Sequence, residues 1–177
     1  MLNRKVWTGT FAAILATGVI CGSSSVAQAE EDESQNQAAV AKLLPTAKIT
    51  LQKGLAAAKS NGQPISGKFE VDEGHFQLTV YTAQGGKFAE VLIDYKTGTV
   101  VKSEPITSGD DLAAAKLQAS AMAKATKTLQ WAVEQAVHAE AGFRAVSVMP
   151  ALSNGHAAAS VALLKGKDVK TVSEPLE

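Results

Sequence analysis

The 177-residue sequence predicts an α+β protein: a tandem repeat of a helix packed on an antiparallel β-meander, with a helical segment joining the two copies. Three observations predict it. Phe88 to Glu104 reads as an antiparallel hairpin, with Val91, Ile93 and Tyr95 on one side of its first strand and Glu90, Leu92 and Asp94 on a wetter side. Amphipathic stripes of helical period precede alternating apolar and polar runs that are divided by Gly-containing turns. Short matches also recur in order at spacings of 78 to 81 residues: Thr50-Leu51-Gln52 with Thr128-Leu129-Gln130, Gly62 with Gly142, Gly74-His75 with Gly155-His156, and Gly86-Lys87 with Gly166-Lys167.

Residues 1–29 read as a secretory signal peptide. Arg4 and Lys5 make a basic start, Phe11 to Ile20 is a short apolar run, and Val26-Ala27-Gln28-Ala29 puts small residues, Ala27 and Ala29, where a signal peptidase reads them. The apolar run is well short of the roughly 20 residues that span a bilayer. Cys21, the only cysteine, follows Ile20 rather than the small residue a lipidation site wants. Cleavage after Ala29 leaves a chain without thiols, stabilised by packing alone, in a periplasmic or extracellular compartment. With Arg4 and Lys5 gone, 17 basic residues less 2 face 17 acidic ones, a net charge of about −2. No segment clusters Lys and Arg with interleaved aromatics, which argues against nucleic acid as a partner, and no membrane partner is expected after cleavage.

Residues 30–45 begin with the acidic, polar run Glu30 to Gln37, a solvated leader, and end in a short helix over Ala38 to Leu44. Unit 1 spans 46–106. Its helix is expected over Thr46 to Ser60, with Ala47, Leu51, Leu55 and Ala58 on one stripe, Gly54 weakening it slightly, and Asn61-Gly62 ending it. Strands follow at Gly67 to Asp72 and His75 to Thr82, then the hairpin. A linking helix occupies 107–125, opened by Ser108-Gly109-Asp110-Asp111 with its acids at the favoured end of the helix dipole. Leu112 to Glu140 fits one long helix or two broken near Thr126. Unit 2 spans 126–177: a helix with Leu129, Val133, Ala136 and Val137 on a stripe, then strands at Phe143 to Leu152, His156 to Leu164 and Asp168 to Leu176.

The order helix, strands, then Ile93-Asp94-x-x-Thr97-Gly98-x-Val100 resembles the PepSY domain, a module of secreted metallopeptidase propeptides and of many exported bacterial proteins. The resemblance covers about Ala47 to Glu104. The second copy keeps the helix and strands, lacks the Asp-x-x-Thr-Gly turn, and ends one strand early. The resemblance implies a non-catalytic binding module; some relatives restrain peptidases, and here any target is a separate molecule. Asp94, Thr97 and Gly98 are expected to be structural turn residues.

Candidate chemistry is sparse, and no cofactor is expected. His75 and His156 occupy matching places in the two halves and are the weak candidates for a shared metal, without the short His-x-His spacing that would strengthen them. His138 reads as a helix surface residue and Trp131 as a core or rim residue. No Gly-x-Ser-x-Gly elbow or phosphate loop supports an enzyme. The expectation is an exported, non-catalytic binding protein whose partner is a protein, a peptidase among the candidates. The alternative is a small-molecule or metal-binding envelope protein with a cleft between its halves.

Overall fold

A computed structural model describes residues 35–177. The expected signal peptide, with Ala27, Ala29 and Cys21, and the acidic run up to residue 34 lie outside them. The chain is helical over 35–43 (α1), forms a 3-10 turn at Leu44–Thr46, then α2 (Leu51–Ala58), β1 (Gln63–Asp72), β2 (His75–Gln84), β3 (Lys87–Ile93), β4 (Val100–Ile106), α3 (Gly109–Met122), α4 (Leu129–Ala139), β5 (Arg144–Ser153), β6 (His156–Lys165) and β7 (Asp168–Pro175). All seven strands form one antiparallel sheet, in the order β4-β3-β2-β1-β5-β6-β7. The mixed helix-and-antiparallel-sheet class is therefore as the pattern predicts.

The two halves join at β1 and β5 through a short seam, Gly67 opposite Val148 and Lys68 opposite Ser147. Local features recur across that seam. Thr50 and Thr128 cap α2 and α4, each hydroxyl accepting the backbone N–H three residues on. The β1/β2 ladder slips between Pro64 and Ser66, and the β5/β6 ladder between Ala145 and Ser147, 81 residues later. The tips Glu73-Gly74 and Asn154-Gly155 are left-handed at both residues, the geometry of a two-residue hairpin.

Each side of the sheet carries helices. On the first side α2 lies so close to β2 that Leu78 fills the space beside Gly54, and Gly67 admits Leu55. Beside it α4 buries Leu129, Ala132, Val133 and Ala136, and Gln130 Nε2 donates to the Gln52 carbonyl on α2. Leu51, Leu55, Leu78, Val80, Val91, Ile93, Val133, Val161 and Leu163 form the core. Burying a side chain of this size stabilises by about 1.5–3 kcal/mol. On the opposite side α3 crosses the sheet centre, held where Ser66 donates to Gln118 Oε1 at 2.8 Å and the Tyr81 hydroxyl meets Asp111 Oδ1 at 3.3 Å.

Several expectations change. The helix expected from Thr46 begins at Leu51, because the Tyr95 carbonyl takes the N–H groups of Lys48 and Ile49 and holds that stretch out of helical form. Its last turn, Lys59–Asn61, is 3-10. The strand expected from Gly67 begins at Gln63, since Pro64, Ile65 and Ser66 are buried. The short helix expected over Ala38 to Leu44 is formed but begins earlier and covers 35–43; Val40 and Leu44 enter the core, while the Asn36 side chain donates to the Val71 carbonyl at 2.8 Å. Of the two readings for Leu112 to Glu140, the break is the one formed: the Leu176 carbonyl captures the N–H groups of Thr126 and Lys127, and Thr128 starts a new helix. Thr79, Tyr81 and Thr82, polar positions of the strand expected over His75 to Thr82, are buried; α3 lies over Tyr81.

Candidate binding face

Asp94, Thr97 and Gly98 build a turn. Asp94 Oδ1 accepts the N–H groups of Lys96 (2.8 Å) and Thr97 (2.7 Å), Gly98 is left-handed at φ 79°, and its N–H returns to the Asp94 carbonyl. These backbone bonds, the Thr97 one first, hold the Asp94 carboxyl below the usual carboxylate range. The turn presents the Tyr95 carbonyl to the chain entering α2 and packs Gly98 against Ile49. Its role is to position α2.

The histidines do not meet. His75 and His156 stand at the tips of two hairpins whose first strands, β1 and β5, run antiparallel side by side. They lie at opposite ends of the sheet, separated by roughly 30 Å at about 3.4 Å per residue. A metal shared between them is excluded by that topology. His156 Nδ1 instead lies 2.8 Å from Glu177 Oε2, and the partner Glu177 Oε1 accepts the Ala157 N–H; both contacts, the histidine first, draw the Glu177 carboxyl downward. His138 is exposed, and Trp131 is half-buried under Lys127 Nζ at 4.5 Å from the ring centre. Among the described residues no group of three or more His, Cys, Asp or Glu is arranged to hold a metal ion, and no helix is long and apolar enough to cross a membrane.

What the sequence did not single out is the sheet side that carries α3. In the N-terminal half, the register places Lys68, Glu70, Gln77, Thr79, Tyr81, Glu90, Lys102 and Glu104 on this side. Thr79 donates to Glu70 Oε1 at 2.6 Å, Gln77 Nε2 reaches both of them, and Lys68 pairs with Glu70. Tyr81 is buried, and burial first, then the charges of Glu90, Asp111 and Glu70, push its phenol far above the ordinary tyrosine value. The local field is therefore negative, and Tyr81 stays a neutral donor throughout the physiological range. Positions 81 residues after Lys68, Glu70, Gln77, Thr79, Tyr81 and Glu90 are Met149, Ala151, Ala158, Ser160, Ala162 and Thr171, all neutral. This side of the sheet thus carries two chemistries: a charged, hydrogen-bonded half and a neutral half, with α3 between them and its Leu117 74% exposed.

The pattern of alternation alone gave the side its polarity, and the repeat spacing was the available means of comparing its halves. No family model matches the chain, and no curated protein does. A solved structure from Clostridium difficile 630, described as a "putative lipoprotein", is similar at 18% identity with a TM-score of 0.36, over 64% of this chain and 75% of that one.

Proposed function

We propose that this chain is an exported, non-catalytic binding protein of two tandem PepSY-like units, which acts on a separate protein through the sheet side that carries α3, with peptidases as the first targets to test. The observation that carries the reading is the two-part character of that side. α3 covers its centre, leaving charged groups on one flank and neutral groups on the other, and such a division gives a partner both a register and an uncharged contact. The recurring caps, ladder slips and hairpin tips support the tandem description, and the Asp94-x-x-Thr97-Gly98 turn supports the PepSY likeness in the first unit. Polar groups on this side already bond one another, as Thr79, Gln77 and Glu70 do, which suits recognition better than chemistry.

Export belongs to the same proposal, with cleavage after Ala29; N-terminal sequencing of protein recovered from the envelope fraction checks it. Binding is tested by immobilising the protein and exposing it to envelope extract, alongside Gln77→Arg in the charged flank and Ser160→Arg in the neutral flank. The wild type is expected to retain a specific protein that one or both folded variants lose. Retention of nothing, together with unchanged peptidase activity in the extract, overturns the proposal.

A further inference from the structure

We propose that the β4 edge is a self-pairing surface, and that two copies of this chain associate across a two-fold axis at Ser103. Among the described residues β4 ends the sheet and has only β3 beside it. Val101 on it is 62% exposed and Val100 38%. Pro105 lies opposite Ala89 in the ladder and has no N–H, so its nitrogen belongs on the side away from β3. By strand alternation Ser103 then turns its own N–H and carbonyl outward as well.

Antiparallel pairing about Ser103 confines the backbone bonds to the central pair, because the Pro105 ring stands where an outward N–H would and faces Val101 of the second copy. Ser103 meets Ser103 and exchanges two backbone hydrogen bonds, Val101 meets Pro105, and Lys102 meets Glu104 on both sides of the axis. Within one chain Lys102 Nζ and Glu104 Oε2 are 3.0 Å apart, with their side chains 60% and 47% exposed, and Glu104 sits opposite Glu90 in the β3/β4 ladder. A second Lys102 brings a further opposite charge to Glu104. Registers about Lys102 or Glu104 set like charges face to face. The ladder slip at Val101 and the missing donor of Pro105 limit the pairing to this short stretch, which fixes its register and keeps association weak.

The opposite edge is less available. On β7, Lys170 Nζ lies 2.6 Å from Glu140 and 5.0 Å from the Phe143 ring centre, and the Pro175 carbonyl already takes Lys127 Nζ. Lys170 is thus tied to a residue at the end of α4, whereas Lys102 and Glu104 pair along β4 itself and can exchange partners across the axis.

Sedimentation equilibrium on the purified protein, up to about 1 mM, the weak end of specific association, tests the proposal. The wild type is expected to dimerise reversibly. Lys102→Glu and Glu104→Lys are each expected to weaken the dimer roughly tenfold or more by facing like charges, and the double variant to restore it. Ser103→Cys is expected to crosslink on oxidation, since paired strands bring the two α-carbons within disulfide reach, with the wild type as background for Cys21. A wild type that stays monomeric, a dimer indifferent to both reversals, or crosslinking through Ser173→Cys instead overturns it. Sedimentation reads the dimer with no partner present, and Gln77 and Ser160 lie away from β4, so loss of this dimer and loss of partner capture are separate results.

Discussion

Asp94 shows how a single carboxylate sets the geometry of a helix it does not belong to. Its Oδ1 fixes the turn, the turn fixes the Tyr95 carbonyl, and that carbonyl stops α2 from starting early. Because the folded Asp94 titrates below its unfolded value, its stabilisation is present above about pH 4 and fades as the pH falls through the lowered folded value. Asp94→Ala is expected to lower stability most at neutral pH, with the gap from wild type narrowing in acid; thermal melts across pH 2–7, a range of about five units bracketing the carboxylates, check it. Gly98→Ala is expected to cost about 1–2 kcal/mol, since alanine at φ 79° is strained and its Cβ would stand 3.3 Å from Ile49 Cγ2. The turn's structural role was legible from its residues. Its target was not, because the chain receiving the Tyr95 carbonyl lies some forty-five residues earlier.

At the scale of the element, propensity and packing disagree at Gly54. In an isolated helix, Gly54→Ala gains about 1 kcal/mol. Here the new Cβ would overlap Leu78, which is fully buried, so the substitution is expected to destabilise the protein, as a denaturant melt would show. The sequence read Gly54 as a weak point because the spacing between α2 and β2 is visible only when both are in place. The caps are different: Thr50→Ala and Thr128→Ala each remove a hydroxyl acceptor from a helix start and are each expected to cost about 1 kcal/mol. Similar losses from the two variants would show that both helices depend on their caps to the same degree. Those threonines stood among the recurring sequence matches, a local signal for the start of α2 that the expected start at Thr46 did not use.

For the molecule as a whole, the halves meet through few ladder pairs, so side chains must strengthen the join. Arg144, at the start of β5, donates to the carbonyls of Leu44, Ala47 and Ile49 at 2.8, 3.2 and 3.2 Å. Partial burial lowers its affinity for its proton, yet a guanidinium remains charged. Arg144→Met is expected to leave three carbonyls without this donor and cost about 1–3 kcal/mol. Hydrogen exchange would locate the loss at the segment before α2 and at β5, and protection unchanged there would contradict the role assigned to Arg144.

Alternation, stripe and turn chemistry determined the α+β class, the two helix-then-strands orders and the hairpin tips, because these depend on residues near one another in the chain. Only the tertiary structure decided that the strands form one continuous sheet, that α3 lies on the side opposite α2 and α4, and that His75 and His156 stand far apart. Those outcomes depend on how separate amphipathic surfaces find cover, and a period read along the chain says which residues share a face without saying what will be buried against it.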